Sequence, residues 1–266
     1  MHMCATCGCE GDGGPVVTLP HQHPQEHSHP HEHEHAHAHE HEHPHEHPHE
    51  VVTLEQKVLA KNDLLAERNR GWLAGRGISA FNMMSSPGAG KTTLLERTIR
   101  ALVESRPIAV IEGDQETLLD ANRIEAAGSA VVQINTGSGC HLDADMVRRA
   151  LDTLDPVAGS LLFIENVGNL VCPALFDLGE EGKVVLISVT EGDDKPLKYP
   201  HMFAAADLVV VNKIDLLPYV DFDMNVFAQH AKSINPQIEL IPTSATTGDG
   251  LEDWFRWIDD HARINR

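Results

Sequence analysis

The chain has 266 residues, and its charged and histidine residues are distributed unevenly. Residues 1–50 contain no Lys or Arg, but they contain 15 of the 19 His, three of the five Cys and nine of the 40 acidic residues. Residues 51–266 keep 31 acidic and 20 basic residues, a net charge of −11. This acidic balance excludes a protein that binds nucleic acid through a basic face. No apolar run reaches the roughly 18 residues of a membrane span, and no signal-peptide pattern is present, so we expect a cytoplasmic protein without a membrane partner.

Residues 1–14 are predicted to form a small metal-binding segment. Cys4, Cys7 and Cys9 lie within six residues, where short loops make a disulfide framework implausible. Three thiolates can hold one ion, with His2 or the terminal amine as alternatives for a fourth ligand. The segment is too small to fold a zinc module, because a closed structural site usually takes four ligands from two separated pairs.

Residues 15–50 form a histidine-rich tract. A His stands at every odd position from His21 to His49 except at Gln25, with Glu, Pro, Ser, Gln or Ala between. Because the tract has almost no apolar side chains to bury, we expect a disordered tail. Many imidazoles on a flexible chain offer weak, interchangeable sites, which suits storage of a borderline divalent ion such as Ni²⁺ or Zn²⁺.

Residues 51–266 are predicted to form one domain in which helices and strands alternate. A helical pattern covers Leu54 to about Leu73. Seven continuous apolar runs follow, as is typical of strands covered on both faces. They are Ile78–Met84, Ile108–Ile111, Ala130–Ile134, Leu161–Ile164, Val184–Val189, Leu208–Val211 and Ile238–Ile241. We therefore predict an α/β fold with a mainly parallel sheet flanked by helices, in which ligands bind at the carboxyl ends of the strands.

The segment after the first predicted strand resembles a phosphate-binding P-loop. It runs from Ser85 to Thr92 between a strand and a helix, and Ser85 stands where the strict pattern has Gly. In such loops backbone amides cradle the phosphates, so Lys91 should reach the β- and γ-phosphates and the Thr92 hydroxyl should bind Mg²⁺. The predicted phosphate-binding residues are Pro87, Gly88, Ala89, Gly90, Lys91, Thr92 and Thr93. The fold is therefore expected to be that of a P-loop NTPase.

A second motif, Asn212-Lys213-Ile214-Asp215, follows the sixth predicted strand. The Asp215 carboxylate can accept hydrogen bonds from the N1 and N2 donors of guanine, which adenine does not offer in this geometry. The motif therefore favours GTP and GDP over ATP, with Asn212 and Lys213 as further nucleotide-binding residues. Ser244 and Ala245 follow the last strand, where we expect a backbone amide to contact the guanine O6.

Acidic residues follow two further strands. Asp114 comes after the second strand and Glu165 after the fourth. Because Mg²⁺ prefers oxygen ligands, we predict that Thr92, Asp114 and Glu165 bind this ion and that, with Lys91, they form the catalytic set. Gly168 lies three residues after Glu165, which fits a loop whose amide senses the γ-phosphate. Slow hydrolysis is expected, because the motifs contain no obvious catalytic Gln or Arg.

A further metal site is predicted inside the domain. Cys140 and His141 are adjacent in a Gly-rich segment after the third strand, and Cys172 follows the Glu165 segment. Thiolate and imidazole form a ligand set for Zn²⁺ or Ni²⁺, and the sequence leaves the choice between them open. The three residues converge only if the order of strands in the sheet brings their loops together.

Taken together, these motifs resemble the HypB family of hydrogenase nickel-incorporation GTPases. The resemblance extends over essentially the whole chain, and its most specific parts are the Cys140-His141 pair and the run Glu165–Pro173. It implies a GTPase that forms a homodimer on GTP binding and delivers nickel to the precursor of a [NiFe]-hydrogenase large subunit. It also implies a small zinc-containing, nickel-binding partner, and a Cys-His pair at the dimer contact that links nucleotide state to metal affinity.

Two other functions remain open from the sequence. A related GTPase could serve another metalloenzyme, such as urease, although the N-terminal Cys cluster and the Cys140-His141 pair fit that class less well. The chain could also be a passive nickel or zinc storage protein in which the nucleotide fold is only a scaffold.

Overall fold

The computed structural model describes residues 16–18, 48–114, 119–137 and 139–262. Within this part the strands are β1 (Val16–Thr18), β2 (Ser79–Ser85), β3 (Ile108–Asp114), β4 (Ala130–Asn135), β5 (Leu161–Glu165), β6 (Gly182–Ser188), β7 (Leu208–Asn212) and β8 (Glu239–Pro242). The helices are α1 (Pro48–Gly75), α2 (Lys91–Leu102), α3 (Leu119–Ala126), α4 (Ala144–Leu154), α5 (Lys195–Lys198), α6 (Pro200–Ala205), α7 (Met224–Ile234) and α8 (Leu251–His261). Short 3₁₀ turns cover Cys172–Leu175, Val189–Glu191 and Ile214–Tyr219.

The strands form one sheet in the order β1-β4-β3-β5-β2-β6-β7-β8. The seven strands β2 to β8 are parallel, and only β1 pairs antiparallel, with β4. All seven predicted strands are present, and the predicted fold class is confirmed. The largest difference is in β3, which continues through Glu112 to Asp114 because these residues still pair in register with β4.

Helices cover both faces of the sheet, as the continuous apolar strands predict. In β2, Phe81 and Met83 pack in one cluster with residues of α2, α3 and α8. Ala80 packs on the other face with residues of α1 and α4, and Met84 packs there with residues of α6 and α7. Burial on both faces explains why the strands lack polar alternation. Because β2 to β8 are parallel, the polar residues at their carboxyl ends lie along one edge of the sheet.

Two pieces of the predicted tail have secondary structure. Residues 16–18 form β1, and α1 begins at Pro48, earlier than the predicted start at Leu54. Proline is well tolerated at the first helical position, because the N–H it lacks has no partner inside a helix there. Cys4, Cys7, Cys9 and the tract from His21 to His47 lie outside the described residues, so their metal-binding and disorder remain predictions. No helix in the described part is long and apolar enough to cross a membrane.

Candidate nucleotide and metal sites

The P-loop joins β2 to α2 as the sequence predicts. Gly88 and Gly90 have φ angles of +75° and +104°, a region that L-residues rarely adopt. A Cβ at Gly90 would also lie 2.5 Å from the Asn212 Nδ2 atom, so this position requires glycine. The loop forms one wall of a cleft of about 540 Å³. The predicted residues that line this cleft are Pro87, Gly88, Ala89, Gly90, Lys91, Thr92, Thr93, Asp114, Glu165, Gly168 and Lys213.

Ser85, the departure from the strict P-loop pattern, has a defined role in the structure. Its hydroxyl accepts a hydrogen bond of 2.9 Å from the Lys91 ammonium and donates one of 2.6 Å to the Ser86 carbonyl. The neighbouring Ser86 hydroxyl donates to the carboxylate of Glu191, in the turn after β6. The Ser85 hydroxyl therefore positions the Lys91 side chain, and the Ser86 hydroxyl links the start of the P-loop to Glu191.

The predicted magnesium ligands lie on adjacent elements. The Thr92 hydroxyl donates a hydrogen bond of 2.9 Å to Glu165 Oε1, and Asp114 lines the same cleft. Glu165 is buried, and its Oε2 atom has no hydrogen-bond partner among the described residues. Burial raises the pKa of this carboxyl, with an opposing effect from Lys91. A hydroxyl, a carboxylate and an unsatisfied buried oxygen fit a hard cation such as Mg²⁺.

Glu112 is a buried acid in the cleft that the sequence analysis left without a role. It pairs in register with Glu165 and is only 2% exposed. Burial, followed by the charges of Glu165 and Asp114, raises its pKa to about 9. The sequence contains a signal for it, because residues two apart on a strand point to the same face, as Glu112 and Asp114 do on β3.

This pKa predicts a pH dependence of stability in the nucleotide-free protein with a metal chelator present. The unfolded carboxyl titrates near 4.5 and the folded one near 9, so between these values only the folded state keeps the proton. Stability should therefore fall as pH rises from about 5 to 9, with this group contributing at most about 1.4 kcal/mol per pH unit. Urea unfolding of the wild type and of Glu112→Gln at several pH values checks this. The variant should show the shallower slope, and equal slopes would contradict the assignment.

Two more residues of the cleft were missed because they lie on α3, outside any motif. Asp120 and Arg123 line the cleft beside the P-loop. The Arg123 guanidinium donates to the Thr93 hydroxyl at 3.2 Å, to Glu96 at 2.8 Å and to Asp120 at 2.9 Å. Arg123 therefore places a positive charge near the phosphate-binding residues, although it lies outside the nucleotide-binding motifs.

The predicted guanine motif packs directly against the P-loop. Asn212 donates from Nδ2 to the Ala89 carbonyl at 2.9 Å and accepts from the Ala245 amide at 3.1 Å. Lys213 has a φ of 64° and donates from Nζ to the Gly88 carbonyl at 2.7 Å. These contacts fix the end of β7 to the phosphate loop, as a site for one nucleotide requires.

Asp215 and Ser244 are brought together, although they are 29 positions apart in the chain. The Ser244 hydroxyl donates to Asp215 Oδ1 at 2.6 Å, which orients the carboxylate. The Ser244 amide donates to the Asp249 carbonyl, and the Ala245 amide donates to Asn212. Both amides thus have protein partners in this structure, and their predicted contact with the guanine O6 remains a prediction.

Cys140, His141 and Cys172 converge as the conditional prediction required. Their ligand atoms lie within 4.8 Å of one another, with 3.1 Å between the two Sγ atoms and 3.7 Å between Cys140 Sγ and His141 Nδ1. The His141 ring stacks on Phe176 at a centroid distance of 4.0 Å, and burial lowers its pKa. Neutral imidazole and thiols fit a borderline or soft ion such as Zn²⁺ or Ni²⁺.

One loop, Glu165–Cys172, connects the cleft to this cysteine-histidine cluster. At its start Glu165 bonds to Thr92, and a Cβ at Gly168 would lie within 3.2 Å of three Pro87 atoms, one side-chain and two backbone. Further along, Asn169 donates from Nδ2 to the Cys140 carbonyl at 3.1 Å, and the loop ends at a ligand. The loop is therefore in contact with both sites.

Comparison with known proteins agrees with this arrangement. A family model described as "CobW/HypB/UreG, nucleotide-binding domain" matches residues 79–242. The chain is 57% identical over 209 residues to the hydrogenase maturation factor HypB of Azotobacter vinelandii, covering 79% of this chain and 69% of that protein. The crystal structure of hydrogenase maturation factor HypB from Archaeoglobus fulgidus has a TM-score of 0.71 and 42% identity, covering 76% of this chain and 98% of that one. The crystal structure of HypB from Helicobacter pylori in complex with nickel has a TM-score of 0.71 and 36% identity, covering 77% of this chain and 99% of that one. The chain belongs to the HypB family of hydrogenase maturation factors.

Proposed function

We propose that this protein is a GTPase that binds nickel and releases it during hydrogenase maturation. The observation that carries the proposal is the loop Glu165–Cys172, which contains a predicted magnesium ligand at one end and a metal-binding thiol at the other. Loss of the γ-phosphate can alter metal affinity only if it acts differently on two states of the protein, and a loop that contacts both sites can carry such a coupling. The family assignment favours hydrogenase over the urease-type alternative.

In the nucleotide site each residue has a distinct role. The P-loop amides and Lys91 hold the phosphates, and Asp215, oriented by Ser244, selects guanine. Thr92, Asp114 and Glu165 would hold Mg²⁺, which would neutralise charge during phosphoryl transfer. Slow hydrolysis is expected, because the motifs contain no obvious catalytic Gln or Arg, and the reaction would act as a timer for metal transfer.

Nickel is the cargo of the second site. Cys140, His141 and Cys172 supply two thiolates and one imidazole, and the low pKa of His141 keeps its ring in the ligating form. Zn²⁺ fits the same donors. The N-terminal cysteines and histidines store further ions in the cytoplasm. A GTP-bound homodimer, a small zinc-containing nickel-binding protein and the hydrogenase large-subunit precursor are the proposed partners.

The test is a nickel titration of the full chain with GDP and with a non-hydrolysable GTP analogue, reading molecular mass and bound metal together. We expect the GTP analogue to produce a dimer and to change nickel affinity at least fivefold, since couplings between sites are commonly about 1–3 kcal/mol. The matching ATP analogue serves as the control and should do neither. Equal mass and equal nickel affinity with both guanine nucleotides would contradict the proposal.

A further inference from the structure

The helix α1 contains two asparagines on its buried side. Asn62 is 5% exposed and Asn69 is fully buried, and α1 packs there against α4. A buried amide is costly unless it is hydrogen-bonded. The partners of these two side chains therefore show which segments α1 holds.

Asn62 bridges two segments that are far apart in the chain. Its Nδ2 atom donates to the Asp177 carbonyl at 2.7 Å, and its Oδ1 atom accepts from the Ala144 amide at 2.9 Å. Ala144 is the first residue of α4. One side chain thus links the start of α4 to the segment around Asp177.

Asn69, two turns further along α1, bridges the same two segments. It donates from Nδ2 to the Ala144 carbonyl at 2.8 Å and to the Leu178 carbonyl at 3.1 Å. The helix backbone is close as well, because a Cβ at Gly179 would lie 2.6 Å from the Ala66 carbonyl oxygen. Arg70 adds a hydrogen bond of 2.7 Å to the Glu180 carbonyl.

These two segments continue directly from the residues of the cysteine-histidine cluster. Ala144 lies three residues after His141. Asp177 lies five residues after Cys172 and immediately after Phe176, whose ring stacks on His141. The two asparagines therefore hold both ligand-bearing segments just beyond the cluster, in addition to the contacts that Asn169 and Phe176 make between the loops themselves.

We propose that Asn62 and Asn69 are positioning residues that fix the geometry of the Cys140, His141 and Cys172 cluster, and so its metal affinity. The proposal rests on the metal binding proposed above for this cluster. Groups that only orient ligands commonly change metal affinity by about 10–100-fold. Asn62 and Asn69 would act by holding the two ligand-bearing loops at a fixed spacing. This reduces the conformational entropy that the loops lose when an ion binds.

The experiment titrates the full-length protein with Ni²⁺ against a competing chelator and follows the thiolate-to-metal absorption. The signal of the cluster is the part that Cys140→Ala removes, which separates it from the N-terminal ligands. In Asn62→Ala and Asn69→Ala we expect nickel affinity at the cluster to fall 10–100-fold, with GDP affinity unchanged within about twofold.

Thr98→Ala is the matched control for lost stability. It removes the buried hydrogen bond of 2.8 Å from Trp254 on the other face of the sheet, and it should lower Tm without changing nickel affinity. Unchanged nickel affinity in both asparagine variants, or an equal loss in Thr98→Ala, would overturn the proposal.

A second readout is independent of nickel. Phenylarsine oxide bridges two close thiols, and peptide mass spectrometry shows which cysteines are joined. The Cys140 to Cys172 bridge should form more slowly in the asparagine variants, and an unchanged rate would count against positioning. If the nickel titration of Cys140→Ala is the same as that of the wild type, the proposed metal function of the cluster is wrong. The rates of arsenical bridging still show whether α1 sets the spacing of the two cysteine-bearing loops.

Discussion

Asp215→Asn is expected to change the base preference of the nucleotide site from guanine to xanthine. In the wild type the carboxylate, oriented by the Ser244 hydroxyl, can accept from two guanine donors. The amide replaces one acceptor with a donor, which matches the carbonyl that xanthine has at position 2. Loss of one hydrogen bond to a charged group costs about 1.5–3 kcal/mol, so GDP affinity should fall about 10–150-fold and XDP affinity should rise.

Calorimetric titration with GDP, XDP and ADP measures this preference. Asp249→Asn is a matched control, because Asp249 lies in the same loop region but uses its backbone carbonyl to hold Ser244. It should retain the preference for GDP. If ADP competes equally with GDP in the unmodified protein, the guanine assignment is wrong whatever the variants do.

Cys172→Ala is expected to remove most nickel binding at the cysteine-histidine cluster. The substitution leaves Cys140 and His141 as two adjacent ligands, and the loop Glu165–Cys172 no longer contributes one. Since loss of groups that merely orient ligands costs about 10–100-fold, loss of a ligand should exceed about 100-fold. GDP affinity should stay within about twofold, because Cys172 does not line the cleft.

Nickel titration against a chelator, with GDP titration in parallel, gives both numbers. Cys7→Ala is the matched control, since it removes an N-terminal thiol and should leave the cluster intact while reducing the total metal bound. An affinity at the cluster equal to that of the wild type would show that Cys172 is not a ligand.

The parts of the protein that could be predicted are those determined by neighbouring residues. The P-loop follows from a strand, a Gly-rich turn and a helix in sequence, and the seven strands follow from continuous apolar runs. The convergence of Cys140 and Cys172 could be stated only conditionally, because it depends on β4 and β5 lying close together in the sheet, with only β3 between them. Strand order is a property of the whole chain and has no local signal.

The residues that were missed act over long distances in sequence. Asn62 bonds to a carbonyl 115 residues away, and Asn69 bonds to one 109 residues away. In a helical sequence pattern an asparagine is expected to lie on the surface. Only the folded structure shows that Asn62 and Asn69 bond to backbone carbonyls in the interior. Glu112 differs, because its spacing from Asp114 was visible, but its high pKa arises from burial and from Glu165 across the strand pair.

The short strand β1 changes how the histidine tract is attached. Val16 pairs with Asn135 at the carboxyl end of β4, five residues before Cys140, and α1 begins at Pro48. Residues 19–47 therefore connect two elements of the fold, β1 and α1. On the function proposed above, nickel transfer from this tract to the cysteine-histidine cluster would be intramolecular, and its rate would not depend on protein concentration.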